Sequence, residues 1–494
     1  MSRIRGTARE VVRRGRNILT AGLDAARMSA DTFQHWWGAK SETPLSVVPP
    51  YDRETVATKA RYEFMNNEIA IGFADTYELY IAGIGPRLRF VSPNKKLNKH
   101  VEKLWKKWAK DAKVSTTLRS AASSMVVFGE AFNLISYNPE RKICGLSYTA
   151  IDPLRVGNPA GMLTNRSLQD GVFFDEYGNV LGYAVYRSPE NDSTTYDKSK
   201  WDFVPKHHIH HVFRRKLPEM PRGYSGFAPL LEPLGRVRDY RDNVTEAART
   251  SAGIVAVATT QEGYGNGFDG FLDFPEKTAW YPGNSIPFQR NRAVLAPPGS
   301  DVKAFVPSQP TTNAADFIKA LIALMGRALG LSRRHSTGDS AEYNFTSGRL
   351  DNQSFELLVS VIQDDYFEAD CLDPLFETFY EFIWEELLIK FGAAPDPSEL
   401  EYEWIWPTPP AVDPEANARA DAIALTNGLT TIRRTTKKNL DTDLDDIAEE
   451  MEESAYWMER YGKIRKEKGA GGEKIEPAAV GTRIAEPEVS GGAI

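Results

Sequence analysis

Cysteine is nearly absent. Of 494 residues only Cys144 and Cys371 carry thiols, and they lie far apart in the chain. That excludes a disulfide scaffold and a Cys-rich zinc module, and it fits a reducing compartment. Long apolar runs are also missing. None approaches the roughly 18 residues of a transmembrane helix, so no membrane partner is expected. The N-terminus has no apolar signal-peptide core. A basic excess is lacking too: 60 Lys and Arg stand against 67 Asp and Glu, a formal net charge of -7. A general nucleic-acid coat shows the opposite balance. What is present is ordinary: 41% hydrophobic and 26% charged residues, enough for a core, over a length that suggests two to four structural units.

The charge is unevenly spread. Residues 1–120 hold 22 Lys or Arg against 12 Asp or Glu, so they sum to +10 and the other 374 residues to -17. One basic concentration is the N-terminal arm, with Arg3, Arg5, Arg9, Arg13, Arg14 and Arg16. An Arg-rich start can mimic a transit peptide. A solvated amphipathic arm, with Ile4, Val11, Ile18 and Leu19 to one side, is the better reading. A second basic run is Lys95 and Lys96 through Lys110 and Lys113; the acidic excess peaks between Asp441 and Glu453. Such runs read first as solvated helix faces, although end-to-end polarity can orient a molecule against partners.

Periodicity predicts an α+β chain. Pro44, Pro49 and Pro50 end the arm. One or two helices follow over 53–82, with Tyr62, Met65, Ile69 and Phe73 at helical spacing, then a strand over 87–91. Residues 97–112 form a basic amphipathic helix with Leu97, Val101, Leu104 and Trp108 on one stripe. A further helix, 115–127, is stopped by Gly129. Strands are expected over 131–137, 145–151, 182–187 and 207–213, with a hairpin turn at 175–179. Two long helices, 226–252 (strongly charged) and 313–330, flank short strands and Gly/Pro turns. A polar, basic loop covers 332–349, and a helix runs to about 370. Asp373-Pro374 reads as an N-cap with proline at N1 of another helix. Helices at 414–427 and 442–461 precede a Gly-, Glu-, Pro- and Ala-rich tail without apolar period, read as disordered.

No motif carries chemistry. In a strand, His208 and His210 of the run His207-His208-Ile209-His210-His211 would share a face, but no carboxylate or cysteine supplies further metal ligands. The reading is a half-exposed strand. Gly265, Gly267 and Gly270 fit G-x-G-x-x-G, yet Phe271-Leu272-Asp273-Phe274-Pro275 leaves no following helix to bind phosphate. Gly223-Tyr224-Ser225-Gly226 falls one residue short of a nucleophile elbow; Ser225 or Gly226 is expected to cap the long helix. No catalytic residue, metal site or cofactor is assigned.

Several segments, in order, resemble the portal proteins of tailed bacteriophages, the lambda-type family. They are Arg61-Tyr62-Glu63 with Asn66-Asn67, then Ile81-Ala82-Gly83-Ile84-Gly85-Pro86-Arg87-Leu88. Next come Trp105 and Trp108, and Phe128-Gly129-Glu130-Ala131-Phe132. Val204-Pro205, His210-His211-Val212-Phe213 and Pro221-Arg222-Gly223-Tyr224-Ser225 resemble the stretch before a long helix. The most specific match is Leu329-Gly330-Leu331-Ser332 followed by Tyr343-Asn344-Phe345-Thr346-Ser347-Gly348-Arg349. Trp406-Pro407, Val412-Asp413-Pro414-Glu415-Ala416 and Asn427-Gly428-Leu429-Thr430-Thr431 complete it. Two departures are the dense His cluster and Gly348, where a small residue such as Ala is commoner.

The resemblance implies a subunit with wing, stem, clip and crown, assembling into a ring, usually of twelve. The ring would sit in the virion at one capsid vertex after assembly in the host cytoplasm. Double-stranded DNA would pass through it without sequence preference, packaged by the terminase large subunit and later ejected. Other implied partners are the major capsid or scaffold protein and a head–tail adaptor. The implied divisions are a basic arm (1–50), an α/β wing (51–225) and a first stem helix (226–252). A strand-rich clip (253–312), a second stem helix (313–331) and a tunnel loop (332–350) come next. Returning wing helices (351–410), a crown (411–464) and the tail (465–494) finish the chain. In the tunnel loop Arg333, Arg334, His335, Asn344 and Arg349 would face DNA; loop solvation or an inter-subunit ion pair is the competing role. On the stem helix Arg236, Arg238, Asp239, Arg241, Asp242, Glu246 and Arg249 would pair with the next subunit, since a helix that polar buries poorly alone. A net acidic conduit also lets DNA slide, because each phosphate contact adds a salt-dependent hold. Two rivals stand beside this: a head–tail adaptor or scaffold protein passing no DNA, and a nuclease with scattered acids.

Overall fold

A computed structural model describes residue 43, residues 47–253 apart from 142 and 189–194, and the pieces 257–258 and 294–295. It further describes residues 314–432 apart from 340, 342–344 and 408–413, and parts of 435–460. Most of the N-terminal arm, the G-x-G-x-x-G run, most of 253–312, Asn344 and the tail therefore lie outside the described residues.

The chain is α+β, and its contacts divide it into two units. The smaller comprises residues 86–91 and 401–494. Strand β1 (Arg87–Val91) pairs antiparallel there with a late strand, Glu401–Ile405, opposing Arg87 to Ile405 and Val91 to Glu401. Nothing in the sequence reading anticipated that late strand, whose Glu-Tyr-Glu-Trp-Ile alternates weakly. The larger unit holds everything else described up to residue 400.

The larger unit opens with helices α1 (Pro50–Asn66) and α2 (Glu68–Tyr77), extended by a π turn, Glu78–Ala82. The predicted stripe Tyr62, Met65, Ile69, Phe73 breaks at Asn67. That residue leaves helical geometry, and its side chain caps α2 by accepting from the Ile69 N–H at 3.0 Å. Tyr62 and Met65 stay exposed, and α1 instead buries Arg53, Ala57, Ala60 and Glu63. Its inward face is chosen by ion pairing rather than by aliphatic periodicity.

Helix α3 (Lys95–Asp111) begins at Asn94, whose side chain accepts from the Lys96 and Leu97 N–H groups. It buries Leu97, Val101, Trp105 and Trp108. Trp105 thus joins the expected stripe, and Leu104 is only half-buried. Helix α4 (Val114–Val127) ends before Gly129, which takes φ +88. Two antiparallel sheets follow. The first orders β3 (Leu146–Ile151), β2 (Glu130–Tyr137) and β8 (Ile209–Phe213). The second orders β4 (Leu168–Gln169), β5 (Val172–Phe174), β6 (Val180–Tyr186) and β7 (Trp201–Pro205). Strands β4, β5 and β7 escaped the sequence reading because each is short and lacks a clear alternation. The β5–β6 turn is as expected: the Asp175 carboxylate accepts from the Tyr177 and Asn179 N–H groups at 2.9 and 2.7 Å. Phe132, Val156, Val172, Tyr183, Val185 and Ile209 form the core between these strands.

The long helices are α5 (Leu231–Gly253) and α6 (Ala314–Leu329), with a two-residue parallel pair, β9 (Val257–Ala258) to β10 (Val294–Leu295), between them in sequence. The expected loop 332–349 is not all loop. A short helix α7 (Arg333–Thr337) and then α8 (Phe345–Ile362) occupy much of it. Asp373 does open an α-helix with proline in its first turn, but not as a free N-cap. A π-helical segment, Gln363–Leu372, leads without a break into α9 (Asp373–Phe391), and the residue before Asp373 is already helical. Pro374 offers no N–H to the preceding turn, so an α ladder cannot cross it intact. Helix α9 packs Phe376 and Phe379 edge-on against Trp105 at 5.6 and 5.2 Å between ring centres. In the smaller unit, strand β11 (Glu401–Ile405) is followed by helix α10 (Pro414–Thr426).

Candidate functional site

The residues singled out from sequence fall in two regions, and the first is rooted in a buried ionic cluster. Glu130 opens β2 directly after the turn at Gly129, and Arg222 sits in the loop that leads to α5. Arg222 is 1% exposed and Glu130 fully buried. The five N–H donors of the guanidinium all find acceptors. Nε and Nη2 donate to the two Glu130 oxygens at 3.0 and 2.5 Å. The remaining donors reach the carbonyls of Val156, Asp170 and Pro153 at 2.5, 3.0 and 3.0 Å.

Glu130 is enclosed on every side. It also accepts from Arg53 Nη1 at 3.3 Å, the Gly223 N–H at 3.2 Å and His211 Nε2 at 3.0 Å. Burial alone would raise its pKa. Arg222, the His211 hydrogen bond and Arg53 outweigh that and hold it well below the usual carboxylate range. Arg53 closes the cluster through Asp170, with Nη2 at 3.1 Å from Oδ1. The His211 ring is stacked between Phe132 and Phe213, with centres 4.2 and 4.3 Å away. Burial keeps that imidazole below its ordinary pKa despite Glu130. Two arginines thus face two carboxylates and a neutral histidine, a balanced charge set.

The cluster fixes the root of α5. Gly129 and Gly223 let two backbones touch: a Cβ on Gly129 would meet the Tyr224 backbone, and one on Gly223 the Gly129 carbonyl. Ser225 Oγ donates to the Val127 carbonyl and accepts from the Phe227 N–H at 3.0 Å, which holds the turn over 226–230; α5 itself begins only at Leu231, so Ser225 does not cap it as expected. Further along, Arg238 pairs with Glu63 at 3.1 Å and Arg241 with Glu68. Arg236 pairs with Glu232, Arg241 also with Asp242, and Arg249 with Glu246 at 3.5 Å. Several charges expected to meet a neighbouring subunit are therefore engaged within the chain. Asp239 is exposed. Tyr240 meets Phe317 of α6 edge-on at 5.7 Å.

In the second region, Gly330 (φ +86) ends α6, and Ser332 caps α7. Arg333 is exposed. The Arg334 N–H donates to Asp351 at 3.2 Å. His335 turns inward against Tyr80 and Phe355, with ring centres 4.8 and 4.3 Å away, and shares a 2.7 Å hydrogen bond with Ser332. Burial, then Arg334, lowers its pKa. Arg349 is exposed on α8. The structure thus places Arg333 and Arg349 outward and His335 in a side-chain contact.

The His run does not form a half-exposed strand. His207 and His208 lie in a 3-10 turn ahead of β8, while His210 and His211 are buried. Among the described residues no group of three His, Cys, Asp or Glu is placed to hold a metal, and no helix is long and apolar enough to cross a membrane. A cavity of about 160 Å³ borders the cluster, but its charged lining is internally paired, Arg53 with Asp170 and Lys198 with Glu54 at 2.9 Å.

The family model "Phage portal protein, lambda family" matches residues 31–363. The chain belongs to this family. The matched residues hold all five members of the ionic cluster, α5 and the whole of α8, so the portal signature and the root of the long helix coincide. Solved chains also align with it. One is from the neck of a native GTA particle computed with C12 symmetry: 12% identity, 78% of this chain, 92% of that one, TM-score 0.36. Another is from the virion of a native gene transfer agent (GTA) particle: 12%, 83% and 98%, TM-score 0.35. A third is from the neck of an empty GTA particle computed with C6 symmetry: 12%, 77% and 91%, TM-score 0.34. Portal proteins are structural proteins of the head–tail connector. The sequence reading missed the Glu130–Arg222 cluster itself; the paired glycines, Gly129 before Glu130 and Gly223 after Arg222, were its one visible signal.

Proposed function

We propose that this chain is one subunit of a ring of twelve at a single capsid vertex. Double-stranded DNA passes through the ring, driven inward by a terminase and released later, and the tail or an adaptor attaches to it. The observation that carries this reading is the portal-family match over residues 31–363. Two features support the details. The long helices α5 and α6 meet at Tyr240 and Phe317 and bracket residues 254–313, as a two-helix stem with a clip at its tip requires. The cluster at Glu130 gives the stem a rigid root.

In this reading Arg333 and Arg349 touch passing phosphates, and the exposed Asp239, Asp242 and Glu246 face the next subunit. Heterologous contacts of that kind end without filaments only if the ring closes. Negative-stain imaging of the purified chain tests it. Rings with a central hole are expected; monomers or solid particles overturn the reading in favour of an adaptor or scaffold protein.

A further inference from the structure

Helix α3 carries a charge pattern that stands apart in the fold. Its sequence, KKLNKHVEKLWKKWAKD, holds seven lysines against two acids. At 3.6 residues per turn all seven lysines fall within an arc of about 120°. All are exposed. The opposite side is locked inward, because Trp105 and Trp108 pack on Phe379 of α9 at 5.2 and 4.9 Å. The helix therefore cannot roll its basic face away from solvent.

Two acids are too few to offset seven lysines. Asp111 pairs with Arg141 at 3.0 Å, and Glu102 lies at the flank of the arc. Lys103, Lys106, Lys107 and Lys110 make no ion pair among the described residues. Like charges three and four residues apart destabilise a helix. Lys95 and Lys96 also stand at the positive end of the helix dipole, and the first turn holds no acid. The stripe thus opposes folding locally, and an anionic partner would relieve it.

The chemistry of the stripe favours phosphate over protein. Protein interfaces are depleted in lysine and enriched in tryptophan, tyrosine and arginine. Here both tryptophans point inward, and α3 has no arginine. Lysine offers a point charge on a flexible stem, suited to phosphates without base readout. The helix is about 25 Å long, a span over which a duplex displays roughly 15 phosphates.

We propose that the outer face of α3 is a sequence-independent contact surface for the phosphate backbone of duplex DNA, separate from any contact inside a channel. The test uses the full-length chain and covalently closed circular DNA, which cannot thread a closed ring. Wild type is compared across a sodium chloride series with a variant carrying Lys103→Gln, Lys106→Gln, Lys107→Gln and Lys110→Gln. The wild type is expected to bind closed circles. In the variant the slope of log affinity against log salt flattens by about 3.6, at about 0.9 per lost contact. Arginine at the same four positions keeps the wild-type slope, and circular dichroism melting of the exposed-site Gln variant is no lower than wild type, because relieving like-charge repulsion can only raise it. An unchanged slope overturns the proposal. So does a wild type that ignores closed circles yet binds poly-glutamate through the same lysines, which marks a protein-docking face. Ring formation is scored on the same samples, so loss of rings counts against the portal reading and not against this surface.

Discussion

Arg222 and Glu130 lie 92 residues apart in sequence, and both are all but removed from solvent. Their side chains meet through two hydrogen bonds, at 3.0 and 2.5 Å. The pair joins the loop ahead of α5 to the first strand of the central sheet. Replacing a buried ion pair by apolar groups can be neutral, but removing one partner strands the other charge. Arg222→Ala is expected to destabilise the chain by about 3–5 kcal/mol. Arg222→Lys should recover little, since one ammonium cannot serve five acceptors in a plane. Urea unfolding followed by circular dichroism measures both; a midpoint unchanged in Arg222→Ala would refute the role given to the pair.

A second expectation concerns acidity. His210 is buried, and burial lowers its pKa to about 4. The unfolded chain therefore binds a proton near pH 6.5 that the folded chain refuses until about pH 4. Stability contributed by this residue is complete above pH 6.5 and declines as pH falls through that window. From pH 7.5 to 5.5 the loss is about 1.4 kcal/mol. His211, lowered in the same direction, adds to it. The Glu130 contribution lies lower, being lost only as pH falls below the usual carboxylate range. Thermal melts of His210→Gln at the two pH values should show a smaller gap than wild type.

The two glycines at the stem root make a steric prediction. Gly129 holds φ +88 and faces the Tyr224 backbone, so Gly129→Ala meets both strain and collision. Overpacking alone costs about 1–3 kcal/mol. Gly178→Ala also has positive φ but open space around it, and it should be milder. Comparing the two melting temperatures separates collision from strain.

Charge reversal on α5 addresses assembly. Asp239→Lys with Asp242→Lys and Glu246→Lys touches exposed residues only. Exposed pairs contribute at most about 1 kcal/mol, so the melting temperature of the isolated chain should hardly move. Light scattering after size exclusion should instead show fewer closed rings. Rings in wild-type yield would mean that these charges do not face a neighbour.

For the segment after α6, Arg333→Ala with Arg334→Ala is expected to weaken DNA retention by rings, with a shallower salt slope. Packaging assays read this directly, and full packaging with full retention would remove the pair from the DNA path.

Much of the fold was readable from residues alone. The period of α3, the punctuation at Gly129 and Gly330, and the turn at Asp175 are local facts, set by backbone geometry within a few residues. The family too was legible, because its ordered motifs are local strings. What stayed hidden was partner choice across distance. Tyr62 and Met65 have the spacing of a core stripe, yet the face of α1 turns inward where Arg53 and Glu63 find countercharges on other segments. The short strands β4, β5 and β7 carry too little periodicity to announce themselves and exist because neighbours pair with them.

By itself the sequence determined the element pattern, the basic stripe of α3 and membership in the portal family. Only the tertiary structure decided which charges are buried, that His335 turns onto Tyr80 and Phe355, and that Glu130 is the point where α1, the sheet and the root of α5 meet. The reason is physical: periodicity is a property of neighbouring residues, whereas the cost of burying a charge depends on which distant group arrives to meet it.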